Sequence, residues 1–159
     1  MMIKAAIVTV SDSCAAGNRE DRSGPAVAEM LSGKGFEVLE RTVVPDEKEA
    51  IEAQLCQLCD RSGADVVITT GGTGRGPRDV TPEATAAVCE RLIPGLSEIM
   101  RVLGWHKSKT AVLSRGVCGM RNGTVVINLP GSVKGATESL EVIIDVLVHA
   151  VEMAKGGGH

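Results

Sequence analysis

Four segments of the chain are dense in apolar and β-branched residues, and they alternate with segments of a different periodicity. Residues 3–10, 65–70 and 124–130 are apolar almost throughout, which is typical of strands buried on both faces of a parallel sheet. Residues 36–44 form a further strand candidate. Because alternating strands and helices imply right-handed crossovers, the pattern predicts an α/β fold. We expect a three-layer sandwich with a mostly parallel sheet and helices on both faces.

The segments between the strands carry recognisable helix and turn signals. Helices are predicted from Gly24, after Asp46, from Thr81 to about Arg91, from Pro94, and across residues 140–154. At the third of these, threonine can cap the helix and the proline after it suits the first turn. Asn122-Gly123 is a hairpin signal, so residues 112–120 are predicted to pair antiparallel with the strand that begins at Thr124.

Length predicts the number of domains, and charge limits the kinds of partner that the protein can bind. A chain of 159 residues can bury about two thirds of its unfolded surface in one core, and we expect a single domain over residues 1–155 with a disordered tail over 156–159. Seventeen basic against twenty acidic residues, with no basic stripe and 1% aromatic residues, argue against a nucleic-acid partner. The first apolar run ends at Ser11 and is too short to span a membrane.

Cysteine usage indicates the compartment. The five cysteines are odd in number and irregular in spacing, which argues against a disulfide framework and predicts a cytoplasmic protein. Cys56 and Cys59 form a C-x-x-C motif, but they fit the apolar face of a predicted helix. We therefore interpret this pair as structural.

Unusual residues follow the strands repeatedly. They are Ser11-Asp12-Ser13, Pro45-Asp46-Glu47, Gly71-Gly72-Thr73-Gly74 with Arg78-Asp79, and Pro130-Gly131-Ser132. Taken singly, Asp46 could cap a helix, Asp79 could belong to a turn and Pro-Gly is common in turns. The carboxyl ends of parallel strands, however, face one crevice where ligands bind. Three aspartates brought together there require a cation or a hydrogen-bond network.

The glycine-rich loop after the third strand is suited to phosphate. Gly71 to Gly74 can present backbone N–H groups to phosphate oxygens, while nearby carboxylates hold Mg²⁺. The loop is not a P-loop, because Gly71 to Gly76 is followed by Pro77-Arg78 instead of Lys-Ser/Thr. It is not a dinucleotide fingerprint either, since a proline-containing loop separates the glycines from the next helix.

The combined motifs resemble a known family. TTGGTGRGPRDVTPEAT (69–85), LSRGVCGMRNGTVVINLPGSVKG (113–135), VPDE (44–47) and VSDS (10–13) are similar to the signature of molybdopterin adenylyltransferases, which include a bacterial enzyme and domains of gephyrin and its plant counterpart. The likeness covers nearly the whole chain, in order.

This resemblance implies a trimeric enzyme that transfers AMP from Mg-ATP to the terminal phosphate of molybdopterin and releases pyrophosphate. A second protein would then insert molybdate. Asp46 and Asp79 match the family's functional aspartates and are the expected catalytic and Mg²⁺-binding residues. The expected substrate- and nucleotide-binding residues are Ser11, Asp12, Gly71, Gly72, Thr73, Gly74, Arg78, Thr81, Ser114, Gly119, Met120, Arg121, Pro130, Gly131 and Ser132.

The expected chemistry needs no side-chain nucleophile, because the pterin phosphate is already an oxyanion. Alignment, Mg²⁺ and a positive charge from Arg78 or Arg121 would carry the reaction, whereas the role of Arg75 stays open. Two alternatives remain: a non-catalytic molybdopterin-binding or scaffold module, and a nucleotide pyrophosphatase of the same fold. The aspartate pair favours an enzyme, and residues 113–123 argue against the pyrophosphatase.

Overall fold

The computed structural model describes residues 2–157. Its strands are β1 (Lys4–Val10), β2 (Glu37–Val44), β3 (Val66–Thr70), β4 (Arg91–Leu92), β5 (Cys118–Arg121) and β6 (Thr124–Leu129). Its α-helices are α1 (Asp12–Ala15), α2 (Ser23–Gly33), α3 (Lys48–Arg61), α4 (Thr81–Val88), α5 (Pro94–Lys107) and α6 (Val133–Ala154). A 3₁₀ helix, Lys109–Leu113, follows α5.

The six strands form one sheet in the order β2-β1-β3-β6-β5-β4. The first four strands in this order are parallel, whereas β5 runs antiparallel to β6 and β4 antiparallel to β5. The carboxyl ends of β1, β2, β3 and β6 therefore share one edge of the sheet, which we call the rim. The start of β6 and the end of β5 lie at the other edge, which we call the base.

Apolar side chains fill both faces of the sheet. Because successive residues of a strand point to opposite faces, Ile7 packs in a cluster with α2 and α6, while Val8 packs in a second cluster with α3 and α4. On α3, Leu55 and Leu58 are fully buried, and burial of each stabilises the fold by about 2 kcal/mol. The predicted three-layer α/β sandwich is confirmed.

Several helix boundaries differ from the sequence predictions. α4 ends at Val88 instead of Arg91, because Cys89 is extended and Arg91 enters β4. Thr81 is not a capping residue: its hydroxyl donates to the carbonyl oxygen of Gly71 at 3.0 Å. The cap position of α3 is Glu47 instead of Asp46.

Two short helices were not predicted. α1 is a single turn in which the hydroxyl of Ser11 accepts a hydrogen bond from the amide of Cys14 at 3.2 Å. The 3₁₀ helix replaces the early part of the predicted hairpin, so only Cys118–Arg121 pairs with β6. Asn122 and Gly123 form the turn with φ of 47° and 78°, as the hairpin signal requires.

The last helix is longer than its apolar stripe suggested. It begins at Val133, where Ser132 accepts a hydrogen bond from the amide of Gly135 at 3.0 Å. At its other end, the amides of Gly156 and Gly157 donate to carbonyl oxygens of the last turn. The remaining two residues of the predicted tail, 158 and 159, lie outside the described residues.

No helix within residues 2–157 has the length and apolar character needed to cross a membrane.

Candidate functional site

A cavity of about 930 Å³ opens at the rim, beside the carboxyl ends of β3 and β6. Its wall is formed by the glycine turn after β3, the turn after β6, the first residues of α6, and the segment from α5 to Gly116. Of the predicted site residues, eight line it: Gly72, Thr73, Gly74, Asp79, Ser114, Pro130, Gly131 and Ser132.

The glycine turn is pressed against neighbouring backbone. Gly71 and Gly72 have φ of 104° and 68°, a region that favours glycine. A Cβ on Gly71 would overlap the carbonyl oxygen of Val10, and one on Gly72 would overlap the hydroxyl of Thr81. The amide of Gly71 also donates to the carbonyl oxygen of Leu129 at 3.1 Å. The turn is therefore fixed by β1, α4 and β6 together.

Asp46 and Asp79 flank this turn. A Cβ on Gly72 would lie 3.3 Å from a carboxylate oxygen of Asp46, and one on Gly74 would lie 2.7 Å from a carboxylate oxygen of Asp79. Asp79 also accepts a hydrogen bond from the amide of Gly76 at 2.8 Å. Asp79 therefore stabilises a turn, as predicted, and also lines the cavity.

Asp12 and Asp46 exchange hydrogen bonds between the ends of β1 and β2. The amide of Asp12 donates to Asp46 at 2.8 Å, and the amide of Asp46 donates to Asp12 at 2.9 Å. Arg78 reaches Asp12 with two further hydrogen bonds, of 3.0 and 2.9 Å. This cluster borders the glycine turn without lining the cavity.

The pKa values of Asp46 and Asp12 are shifted in opposite directions. Burial, the largest influence, raises the pKa of Asp46, and the charges of Asp12 and Asp79 raise it further against the lowering effect of the Asp12 amide. Hydrogen bonds from Arg78, and then from the Asp46 amide, lower the pKa of Asp12. The charge of Arg78 is only the smallest of the influences on Asp46, whose pKa it lowers, whereas Arg78 bonds the carboxylate of Asp12 directly.

Within residues 2–157 no group of three or more His, Cys, Asp or Glu side chains could by itself hold a metal ion. Mg²⁺ in nucleotide sites is commonly bound by one or two carboxylates together with phosphate oxygens and water. The pair of Asp46 and Asp79 fits that smaller donor set, and the raised pKa of Asp46 indicates a carboxylate that a cation would stabilise.

The structure places Gly119, Met120 and Arg121 away from this cavity. They lie in β5, which runs from the rim towards the base, so that Arg121 pairs with Thr124 at the start of β6. The guanidinium of Arg121 binds the carboxylate of Asp60 at 2.9 and 3.1 Å. These three residues therefore do not meet the other predicted site residues within the chain, because an antiparallel strand carries them to the other edge.

Gly119 has a structural reason for lacking a side chain. A Cβ there would approach the carbonyl oxygen of Arg91 to 2.7 Å and the Sγ atom of Cys89 to 2.9 Å. The glycine thus permits close packing of β5 against β4.

Three residues at the site were missed by sequence reasoning: Arg101, Arg115 and Asn128. Arg101 lines the cavity and donates to the carbonyl oxygen of Gly116 at 2.9 Å. Asn128 is 2% exposed, although it also borders the cavity. Its position as a polar residue inside an apolar strand was a usable signal, whereas nothing in the local sequence marks Arg101.

Asn128 joins three elements. Its side-chain amide donates to the hydroxyls of Thr69 and Thr85 at 3.0 and 2.9 Å, and its oxygen accepts from the amide of Val117 at 3.1 Å. A buried polar side chain is stable only when its hydrogen bonds are made, so this residue fixes the relative positions of β3, α4 and the segment before β5.

The cysteines lie apart from the cavity lining. All five are free, with Cys56 and Cys59 on α3. Burial raises the pKa of Cys59 to about 12 and that of Cys89 to about 11, so both remain thiols at neutral pH. This agrees with the structural interpretation of the C-x-x-C motif.

Comparison with known proteins supports the resemblance found in the motifs. A family model described as a probable molybdopterin binding domain matches residues 6–149. The molybdopterin adenylyltransferases of Helicobacter pylori and Escherichia coli are each 41% identical to the chain; the matches cover 94% of it in both cases and 86% and 80% of the respective relatives.

Solved structures agree with these relatives. The molybdopterin biosynthesis enzyme MoaB of Thermus thermophilus is 48% identical, with a TM-score of 0.92 and 98% of each chain covered. The chain therefore belongs to the probable molybdopterin binding domain family, alongside these curated molybdopterin adenylyltransferases.

Proposed function

We propose that this protein is a molybdopterin adenylyltransferase of molybdenum cofactor biosynthesis, and that it transfers AMP from ATP to the terminal phosphate of molybdopterin. The observation that carries the proposal is the glycine turn at the cavity, flanked by Asp46 on one side and Asp79 on the other. The names and extensive coverage of the relatives support the same activity.

The cavity lining offers several groups that favour phosphate. Gly72, Thr73 and Gly74 supply backbone on one side, and Ser132 caps the 22-residue helix α6 on another. N–H groups at a glycine turn and at a helix N-terminus both favour anions. Arg101 and Lys134 add positive charge to the lining.

Asp46 and Asp79 are the residues that would hold Mg²⁺ together with phosphate oxygens. When bound, Mg²⁺ would neutralise charge on the triphosphate. The contribution of the chain is to keep two carboxylates beside one rigid turn, where Asp46 has no ion pair with Arg78 of the kind that Asp12 has.

The reaction is an in-line displacement at the α-phosphorus of ATP. A terminal phosphate oxygen of molybdopterin forms the new P–O bond, and the bond between the α-phosphorus and the bridging oxygen breaks as pyrophosphate leaves. Because the attacking phosphate is ionised at neutral pH, no side chain has to remove a proton. The protein therefore acts by alignment and by stabilising negative charge.

Assembly and location are further parts of this proposal. A homotrimer in the cytoplasm would pass adenylyl-molybdopterin to a molybdate-insertion protein. Exposed apolar side chains on α5 and the 3₁₀ helix, including Val102, Trp105 and Val112, support self-association because such patches commonly mark interfaces. Sedimentation at micromolar concentration should give three chains, and a mass of one chain, 16.5 kDa, would contradict the trimer.

The decisive experiment is incubation with molybdopterin and Mg-ATP, followed by mass analysis for adenylylated pterin and assay of pyrophosphate. Both products are expected in equal amounts. Nucleotide hydrolysis without adenylylated pterin would favour a pyrophosphatase, and molybdopterin binding without turnover would favour a binding module.

A further inference from the structure

The loop that carries Asp79 has little structure of its own. Residues 71–80 join β3 to α4 and include four glycines. Glycine loses more conformational freedom on ordering than any other residue, so a loop of this composition needs external contacts to keep one shape. The turn at Gly71 is fixed by β1, β6 and α4, whereas the part from Thr73 to Asp79 is held by a residue of the segment before β5.

Arg115 supplies those contacts. Its Nε atom donates to the carbonyl oxygen of Gly74 at 2.7 Å, and one of its terminal nitrogens donates to the carbonyl oxygen of Asp79 at 2.7 Å. The other terminal nitrogen binds the carboxylate of Glu83 on α4. The backbone amide of Arg115 also donates to the carbonyl oxygen of Thr73 at 2.9 Å. One residue thus fastens both ends of the segment between Thr73 and Asp79.

These contacts set the direction of backbone N–H groups. In a trans peptide, the carbonyl and the N–H group of the next residue point in opposite directions. Holding the carbonyls of Thr73 and Gly74 on Arg115 therefore turns the N–H groups of Gly74 and Arg75 away from Arg115. Gly74 and Arg75 both line the 930 Å³ cavity, on the side where phosphate is expected.

We propose that Arg115 is a positioning residue for adenylyl transfer, whose side chain aims the N–H group of Arg75 and fixes the backbone of Asp79. Its effect on rate rests on the proposed function. Lysine cannot replace it, because only the planar guanidinium offers donors in three fixed directions.

Stability alone does not account for this arrangement. The ion pair between Arg115 and Glu83 is well exposed on both sides, and exposed pairs contribute little to folding. The contacts that matter for the proposal are those to loop carbonyls.

Lys155 provides a control at the base. Its ammonium group pairs with the carboxylate of Asp65, the residue before β3. Lys155→Met should therefore remove an ion pair of the fold without disturbing the glycine loop.

The test compares Arg115→Met, Arg115→Lys and Lys155→Met with the parental protein. Two quantities are measured: steady-state adenylyl transfer, and hydrogen exchange of the amides in residues 74–80. Arg115→Met should lower kcat by roughly tenfold to a hundredfold, with the KM for molybdopterin within about twofold. Arg115→Lys should recover less than about a tenth of the parental kcat, and exchange in the loop should quicken in both Arg115 variants but not in Lys155→Met.

Several outcomes would overturn the proposal. They are parental exchange in both Arg115 variants, a kcat of Arg115→Met within about twofold of parental, or an equal loss of kcat in Lys155→Met at matched thermal stability. If Arg115→Met does not fold, Arg115→Lys decides. If the parental protein does not adenylylate molybdopterin, the proposed function fails, while the exchange of residues 74–80 still decides whether Arg115 holds the loop.

Discussion

Carboxylates at the rim and at the base of the sheet lie in different electrostatic surroundings. At the base, Arg121 and Asp60 pair across the end of α3 and the β5-β6 turn, and the pKa of Asp60 is lowered mainly by its hydrogen bond from Arg121. At the rim, burial raises the pKa of Asp46. A charge satisfied by a direct ion pair strengthens a fold, whereas a charge without such a partner is available to a ligand.

The largest expected difference concerns the reaction itself. Asp46→Asn and Asp79→Asn keep the size of each side chain but remove a charge, so each should lower adenylyl transfer by roughly a hundredfold or more. The fold, the trimer and molybdopterin binding should persist, because the substituted side chains can still accept hydrogen bonds. Product formation under saturating Mg-ATP gives the rate, and equilibrium dialysis gives pterin binding.

Asp60→Asn is the control for this prediction. It removes a carboxylate at the base and should leave turnover within a few fold. Parental rates in both rim variants would remove the support for Mg²⁺ binding by Asp46 and Asp79 and would favour the binding-module alternative.

The next largest difference is expected in the free energy of unfolding, when a glycine of the rim and a glycine elsewhere are each replaced by alanine. Gly71→Ala places a Cβ onto the Val10 carbonyl at a φ of 104°, which should cost about 2 kcal/mol or more of unfolding free energy. Gly33→Ala, at the end of α2, meets open space and should be neutral or slightly stabilising. Urea unfolding measures both, and similar midpoints for the two variants would contradict this view of the turn.

Stability should respond to pH with opposite sign at the two edges. The pKa of Asp46 is raised on folding, so the stability it contributes is present below about pH 3.9 and lost as the pH rises through its folded pKa. The pKa of Asp60 is lowered, so its contribution is present above about pH 3.9 and lost as the pH falls through its folded pKa.

In metal-free buffer, the Tm of Asp46→Asn relative to parental should therefore increase between pH 3 and pH 7. That of Asp60→Asn should decrease over the same interval. Calorimetry of the three proteins measures this, and a change of the same sign in both variants would rule out the electrostatic contrast.

The smallest effect is expected from the C-x-x-C motif. Replacing both Cys56 and Cys59 with alanine should leave turnover within a few fold, because the pair lies on α3 and the pKa of Cys59, raised to about 12 by burial, leaves it without thiolate character. Adenylyl transfer by the double variant, checked for native circular dichroism, gives the answer. Loss of activity in a folded variant would show that these thiols take part in the chemistry.

The sequence was informative wherever local composition decides structure. Apolar β-branched runs marked the strands because buried parallel strands have few other compositions, and the rule that strand ends share an edge brought Asp46, Asp79 and Gly71 together. The hairpin signal at Asn122-Gly123 was also correctly interpreted. Its consequence was overlooked, since an antiparallel return from the rim must carry Arg121 to the base.

Contacts between residues far apart in the chain could not be predicted from the sequence pattern. Arg115 meets Gly74 across 41 positions of chain, and no periodicity indicates which carbonyl a guanidinium will reach. The boundary of α4 was missed for a related reason, because pairing of Arg91 with Met120 in the sheet overrides helical propensity.

The reciprocal hydrogen bonds between Asp12 and Asp46 have a consequence for motion. Each carboxylate holds the amide of the other residue, so separating the loops after β1 and β2 breaks two hydrogen bonds together. We therefore expect a displacement of one loop to be transmitted to the other. A ligand that immobilised Asp46 would also reduce the motion of the backbone at Asp12, without contacting Asp12.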